Sequence, residues 1–285
     1  MELWLIFGLI GYMISAFAGI LDKYMMNQKY HPVTTVLLRV LFNAVFLGFV
    51  GFIFLNLSIT PILLLLAIIP AFLLAITFVI YLFVLQRKNV SDIQPFSQSL
   101  DVLFIFLASI IILNEKASLV NYLGILVIVI GIYLVLTEHV TKVPRLDRNF
   151  IIIIALVPGD IAYALLLKIY LGTAEPIALA VSIYMMAFLI LTIITLLMRK
   201  KLQLKISSLK SQLRIVFIAS LCAATSIALL YTALSQANAS KVYPMAGINS
   251  IIVFIIATLF LKEKFYRHRF IGTLIIFLGI YLILL

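Results

Sequence analysis

The sequence predicts an all-α integral membrane protein with ten transmembrane helices, arranged as two inverted five-helix repeats. Of its 285 residues, 65% are hydrophobic and only 11% are charged, whereas soluble domains are about 45–50% apolar. Ten apolar segments are each long enough to cross a bilayer, and short motifs of the first half recur in the same order in the second half. An outer surface that contacts lipid explains the composition.

The ten spans follow from length and from backbone chemistry. A helix needs roughly 20 apolar residues to cross about 30 Å of hydrocarbon. A backbone in lipid must satisfy its own hydrogen bonds, and the alternation typical of barrel strands is absent, so each segment is predicted to be helical. The predicted spans are residues 3–22, 33–54, 61–85, 92–113, 118–136, 150–171, 176–198, 213–235, 240–261 and 267–285. Residues 1–21 are interpreted as a span and not as a signal peptide, because Glu2 is the only early charge.

The repeat is visible in three motif pairs. The three pairs are residues 89–95 with 238–244, residues 113–116 with 261–264, and Gly124 and Gly131 with Gly272 and Gly279. The spacing is about 148–149 residues throughout, so we expect a first repeat at 1–140, a connecting loop at 141–148 and a second repeat at 149–285. The glycines recur every seven residues and are predicted to let helices pack closely. Glu115 and Glu263, at matched span ends, are expected to pair with adjacent lysines.

An odd number of spans in each repeat forces the two copies to enter the membrane from opposite sides. This inverted arrangement is common in transporters, whose sites form near the midplane between the halves. The loops that follow odd-numbered spans hold 17 of the 21 lysines and arginines. The positive-inside rule therefore predicts that these loops are cytoplasmic and that both termini lie outside a multi-pass protein of the cell membrane. The basic loop 199–214 is predicted to be either a short interfacial helix or a solvated loop.

Several of these motifs resemble the EamA-type family of the drug/metabolite transporter superfamily. The residues that carry the resemblance are Gln236–Ser240, Pro244, Leu261–Lys264, Gly272 with Gly279, and Leu21–Tyr24 after the predicted first span. The resemblance covers essentially the whole chain and implies a ten-span plasma-membrane transporter, but it says almost nothing about the substrate. Well-known members are drawn with both termini in the cytoplasm, the reverse of the orientation that the charge count predicts here.

Polar side chains on two related spans are the first candidates for a binding site. Gln94, Gln98 and Asp101 share one helix face, because they are four and three residues apart. The matching span carries Tyr243 and, at the position equivalent to Asp101, either Asn249 or Ser250. The two stripes are expected to line a shared central cavity. The alternative is that they make interhelical polar bonds with no ligand.

Asp160 follows Pro158 and Gly159 near the middle of the sixth span. Proline removes a helix donor and glycine loosens the turn, so the pattern predicts a broken helix with a carboxylate at the break. The alternative is a kink in which Asp160 pairs with a neighbour.

Arg39 lies about two turns into the second span, and Asn43 lies one turn deeper on the same face. Three roles are open for the guanidinium: pairing with Asp101 or Asp160, contact with an anionic group of the substrate, or snorkelling to the interface.

The sequence therefore favours a secondary transporter or exchanger of a small polar or amphiphilic metabolite. Export of an amino-acid-like compound or an amine is favoured, with Asp101 or Asp160 taking a coupling proton or contacting a cationic amine. Membrane lipid and protons are the other expected partners, in a monomer or homodimer. The alternative is a membrane scaffold or accessory subunit that does not transport. No enzyme motif, metal-ligand spacing or cofactor motif is recognised, and the basic residues lie in loops beside spans, so no nucleic-acid role is expected.

Overall fold

The computed structural model describes residues 2–54, 57–136, 147–197, 209–263 and 266–284, which are helical apart from short connections. The helices are α1 (Leu3–Asn27), α2 (Pro32–Phe54), α3 (Pro61–Leu85), α4 (Val90–Ile112), α5 (Leu119–Leu136), α6 (Arg148–Tyr170), α7 (Pro176–Leu197), α8 (Leu209–Gln236), α9 (Ala239–Val242), α10 (Ala246–Phe260) and α11 (Arg267–Leu284). A 3₁₀ turn, Tyr243–Met245, joins α9 to α10. Most of the connecting loop predicted at 141–148, and part of the loop predicted at 199–214, lie outside the described residues.

Eight helical segments of the described chain are long and apolar enough to span a membrane. Residues Leu119–Val135 of α5 form a shorter apolar helical segment. The segment Ala239–Phe260, which contains α9, the 3₁₀ turn and α10, counts as one of the eight. The all-helical, multi-pass prediction is confirmed, whereas the total of ten spans stays a prediction.

The end of α1 differs from the prediction. The predicted span ends at residue 22, whereas the helix continues to Asn27, so Lys23 lies inside it and not in a loop. The Lys23 ammonium donates to the carbonyl oxygens of Leu85 (2.8 Å) and Lys88 (2.6 Å), at the end of α3. Cations stabilise a helix C-terminus because the last carbonyl groups have no intrahelical donor.

The second repeat contains the same contact. The Lys168 ammonium, in the last turn of α6, donates to the carbonyl oxygens of Leu234 (2.7 Å) and Ala237 (2.8 Å) at the end of α8. These two acceptors lie 149 positions after Leu85 and Lys88, and Lys168 lies 145 positions after Lys23. The two repeats therefore share individual hydrogen bonds at equivalent positions. The pairing of Lys23 with Lys168 also aligns α1 with α6.

The predicted break at Pro158 is wrong, because α6 runs without interruption from Arg148 to Tyr170. Transmembrane helices tolerate an internal proline when neighbouring groups satisfy the freed carbonyl. The helix is interrupted in the ninth span instead, where Pro244 lies in the 3₁₀ turn. The matching Pro95 lies in the second turn of α4, which stays continuous.

Helices α5 and α11 pack through their glycines, as predicted. A Cβ atom placed on Gly124 would lie 2.5 Å from the carbonyl oxygen of Gly279, and one on Gly131 would lie 2.8 Å from that of Gly272. The pairing of the earlier glycine with the later one shows that the two helices run antiparallel. Only glycine allows the two backbones to approach so closely.

Two glutamates connect the repeats, here called the inter-repeat caps. The Glu263 carboxylate accepts hydrogen bonds from Val90 N (3.0 Å), Ser91 N (3.1 Å) and Ser91 Oγ (2.5 Å), at the start of α4. Conversely, Glu115 accepts from Ala239 N and Ser240 N (both 2.9 Å), at the start of α9. Each carboxylate satisfies the unpaired N–H groups of a helix in the other repeat. The predicted pairing with adjacent lysines stays a prediction, because Lys264 lies outside the described residues.

The inter-repeat caps lie at opposite ends of the bundle. Glu115 lies at the end of the bundle at which α1 begins, which is called the terminal face. Glu263 lies at the other end, at which α4 begins, which is called the opposite face. The opposite face also holds an ion pair between Arg269 of α11 and Asp92 of α4, which joins the repeats a second time. A further ion pair there joins Lys88 to Asp147, the N-cap of α6. Burial alone would raise the pKa of Asp147, but hydrogen bonds from Lys88 and from the backbone of α6 hold it below its usual value.

Candidate functional site

A cavity of about 390 Å³ lies in the middle of the bundle, between helices of both repeats. Its volume is within the range of small-molecule pockets. The predicted site residues that line it are Arg39, Asn43, Gln94, Gln98, Asp101, Asp160 and Asn249. Tyr243 lines a second cavity, whereas Ser250 lines neither cavity and hydrogen-bonds to Gln98.

Arg39 pairs with Asp22, a partner that the sequence analysis did not consider. Its Nε lies 3.1 Å from Asp22 Oδ1, and its second terminal nitrogen donates to Asp22 Oδ2 at 3.2 Å. Both residues are almost fully buried and line the cavity. Arg39 is therefore paired with a carboxylate, but with that of Asp22 and not, as predicted, with that of Asp101 or Asp160. One hydrogen bond and one close ionic contact therefore join the guanidinium to the two oxygens of a single carboxylate, and the two opposite charges balance each other.

Amide and hydroxyl groups of α1, α3, α4 and α10 form a hydrogen-bonded chain along the cavity wall. The Tyr81 hydroxyl donates to Gln94 Oε1 (3.2 Å), and Gln94 Nε2 donates to Asn249 Oδ1 (2.9 Å). The Ser250 hydroxyl donates to Gln98 Oε1 at 2.6 Å. The structure thus brings together the two polar stripes of α4 and α10, one from each repeat.

Asp101 and Asp160 lie near the midpoint of the bundle. Asp101 is eleven residues from Val90 and Asp160 is twelve from Arg148, which places both about 16–18 Å along their helices. Oδ1 of Asp101 is buried and has no hydrogen-bond partner among the described residues. Asp160 lies beside Thr77 of α3. The two carboxylates are close enough to interact electrostatically.

A second cavity, of about 220 Å³, begins where the first ends. Asp101 and Asp160 line both cavities, together with Tyr12 and Gln98. The first cavity continues toward the opposite face, past Asp22 and Gln94, and the second continues toward the terminal face, past Tyr163 and Tyr243. Tyr163 shares a short hydrogen bond with Tyr231 of α8. The carboxylate pair therefore lies at the junction of two cavities that extend toward opposite ends of the protein.

The repeat supplies a neutral counterpart of this acidic pair. Of the two residues predicted as the equivalent of Asp101, Asn249 lies 148 positions after it, the offset that also relates Glu115 to Glu263. Asp160 lies 145 positions after Ser15, the offset that relates Lys23 to Lys168. Asn249 Nδ2 donates directly to the Ser15 hydroxyl. One pair of symmetry-related positions is thus neutral and hydrogen-bonded, whereas the other carries two carboxylates.

Sequence reasoning missed Asp22, Ser15 and Tyr81 as cavity residues. Asp22 is the last residue of the predicted first span, 3–22, and was noted only as part of the Leu21–Tyr24 motif at the end of that span. The apolar Met25 and Met26 that follow are buried, and they were the available sign of a longer helix. Within the described residues, no group of three or more His, Cys, Asp or Glu side chains could hold a metal ion.

Comparisons with known proteins agree with this architecture. A solved structure whose title reads only "Crystal structure of protein" superposes with a TM-score of 0.71 at 10% sequence identity, covering 97% of this chain and 94% of that one. At that identity the likeness shows the fold alone. No curated protein matches the sequence at a significant level. The model of the EamA-like transporter family matches twice, at residues 2–137 and 150–285. The resemblance is confirmed: the chain belongs to the EamA-like transporter family, whose members transport small molecules across membranes.

Proposed function

We propose that the protein is a secondary active transporter or exchanger that moves a small polar or amphiphilic metabolite by alternating access through the central cavity. The observation that carries the proposal is the position of Asp101 and Asp160 at the junction of the two cavities. A group at that junction can be reached from one side at a time, as alternating access requires.

The neutral counterpart argues against a purely structural role for the two carboxylates. An ionisable side chain in a transmembrane helix costs roughly 2.5–3.5 kcal/mol. At the related position, Ser15 and Asn249 hold the same two types of helix together without charge. Carboxylates at Asp101 and Asp160 are therefore an added cost that packing does not require, which supports a role in transport.

Charge balance indicates what the carboxylates bind. Arg39 is already paired with Asp22, so Asp101 and Asp160 must be neutralised by a proton or by a cationic group of the substrate. Alternating occupancy by proton and substrate would couple transport to a proton gradient. If the positive-inside prediction holds, the first cavity faces the cytoplasm, and the favoured direction is export of an amine or an amino-acid-like compound.

The scaffold alternative requires Arg39 to be satisfied by Asp101 or Asp160 with no cavity between them. The geometry favours the transporter, because Arg39 has another partner and the carboxylates border open space. A non-enzymatic role also agrees with the family.

The test replaces the acidic pair by its own neutral counterpart, in the double variant Asp101→Asn with Asp160→Ser. We expect this variant to fold with a melting temperature close to that of the wild type, because the repeat already packs these side chains at related positions. Proteoliposomes with a pH gradient across the membrane would be exposed to amines, amino acids, sugars and nucleotides in turn. At least one compound should cause protons to cross the membrane in proteoliposomes that contain the wild type, and should cause no such proton movement with the variant.

Cysteine accessibility gives a readout that needs no substrate. In a Cys222→Ala background, Ala18→Cys reports on the first cavity and Ala246→Cys on the second. A transporter should be labelled by a membrane-impermeant thiol reagent at Ala18→Cys from the opposite face and at Ala246→Cys from the terminal face. A scaffold predicts labelling of neither position from either face, and that result would contradict the proposal.

A further inference from the structure

We infer that the substrate is an organic amine without a carboxylate, and that Asp22 sets this specificity by occupying the Arg39 guanidinium. The inference rests on the proposed function, because it names the substrate class of the same cavity. It narrows the favoured substrates from amines and amino-acid-like compounds to amines alone.

The first step is the occupancy of Arg39. Among the described residues that line the first cavity, Arg39 is the only lysine or arginine. Asp22 contacts it at two nitrogens, 3.1 and 3.2 Å away, and both residues are at most 5% exposed. Among the described residues, Nε and the remaining terminal nitrogen of Arg39 have no hydrogen-bond acceptor, so the guanidinium can still donate to a neutral oxygen. Its positive charge, however, is already balanced by the Asp22 carboxylate.

The second step is the charge that remains. With Asp22 and Arg39 paired, the cavity retains Asp101 and Asp160 and holds no further cationic side chain among its described lining residues. An amino acid would bring an ammonium group for these carboxylates, but also a carboxylate that shares one guanidinium with Asp22. In a water-poor site an unmatched like charge is strongly disfavoured. An amine brings only the positive charge that the cavity lacks.

The third step is the shape and chemistry of the wall. Oδ1 of Asn43 is buried and has no hydrogen-bond donor within the described part of the chain, so it offers a carbonyl acceptor to an ammonium N–H. Phe78, Tyr81 and Tyr184 line the same cavity. Aromatic faces attract cations and also pack against a ring of the substrate. An aromatic monoamine is therefore a suitable probe.

The experiment compares tyramine, tyrosine and tyrosine methyl ester as ligands of the purified full-length protein, by calorimetry. The three share a ring and an ammonium group, and only tyrosine carries a carboxylate. We expect tyramine and the ester to bind at least tenfold more tightly than tyrosine. The ester separates charge from size, because it is larger than tyrosine but has no negative charge. Equal or tighter binding of tyrosine would overturn the inference.

The Asp22→Asn variant tests whether Asp22 sets the preference. Releasing Arg39 from Asp22 should strengthen the binding of tyrosine relative to tyramine, so that the ratio of tyramine affinity to tyrosine affinity falls at least tenfold. Asp92→Asn is the matched control, since Asp92 also pairs with an arginine, Arg269, but lines neither cavity. It should leave the ratio unchanged. A ratio unaffected by Asp22→Asn would overturn the role of Asp22, and the wild-type comparison stands by itself if that variant does not fold.

Failure of this inference is distinguishable from failure of the proposed function. If tyrosine binds best and the Asp101→Asn with Asp160→Ser variant abolishes that binding, the transporter proposal stands and the amine assignment is overturned. If no probe binds, the amine assignment is overturned, and the thiol-labelling experiment then decides alternating access independently.

Discussion

Replacing Glu263 by glutamine should loosen the contact between the repeats at the opposite face. The carboxylate accepts three hydrogen bonds from the start of α4, two of them from the backbone N–H groups of Val90 and Ser91. Hydrogen bonds to a charged group contribute about 1.5–3 kcal/mol each, against about 0.5–1.5 kcal/mol for neutral ones. At the low end for this partly exposed carboxylate, the three bonds contribute about 4.5 kcal/mol, and a glutamine carbonyl that accepts one or two of them retains about 1 kcal/mol each, so the expected loss is about 2.5–3.5 kcal/mol. For a chain of this size that corresponds to a drop in melting temperature of roughly 5–14 °C.

Two other glutamates provide matched comparisons. Glu115→Gln removes the corresponding inter-repeat cap at the terminal face, with two hydrogen bonds in place of three, and should cost about two thirds as much. Glu175→Gln removes a cap that stays within one repeat, because Glu175 accepts from Ile177 N and Ala178 N at the start of its own helix α7. Its cost in stability should equal that of Glu115→Gln.

Accessibility distinguishes the inter-repeat caps from a local cap. Ser91 is one turn before Gln94, which lines the first cavity. Opening the contact at Glu263 should therefore increase thiol labelling of Ala18→Cys several-fold from the opposite face. Glu175→Gln should leave that labelling unchanged despite its lower melting temperature. The reasoning is refuted if Glu175→Gln raises the labelling as much as Glu263→Gln, or if Glu263→Gln leaves both stability and labelling unchanged.

Two further predictions concern the packing of the repeats. Gly124→Ala should cost about 1–3 kcal/mol, because its Cβ would lie 2.5 Å from the carbonyl oxygen of Gly279 and the two helices would have to separate by about 1 Å. Gly48→Ala is the control, since its Cβ would meet only one side-chain atom, 4.0 Å away; equal melting temperatures for the two variants would contradict the prediction. Lys23→Met and Lys168→Met should each destabilise the protein by about 1–3 kcal/mol through loss of hydrogen bonds to the final carbonyls of α3 and α8. Unequal effects of the two variants in thermal unfolding would show that the repeats do not use this contact equivalently.

Local patterns in the sequence were sufficient to predict the membrane, the helices, the repeat and the glycine packing. Each of these depends on the composition of about 20 consecutive residues or on a constant spacing, both of which can be read without knowing where other parts of the chain lie. The stripe of Gln94, Gln98 and Asp101 could be predicted for the same reason, since residues of one helix face recur at a known interval.

Only the tertiary structure decided which charged groups meet. Two outcomes depend on distances between residues that are far apart in sequence or on different helices. One is the choice of Asp22 over Asp101 as the partner of Arg39, and the other is the capping of helix N-termini in the other repeat by Glu115 and Glu263. The continuity of α6 through Pro158 likewise depends on neighbouring helices. The sequence by itself determined the helices and the symmetry that relates them. Helix packing determined the free charges in the cavity, because a buried ionisable group is satisfied by whichever opposite charge or donor its neighbours bring within reach.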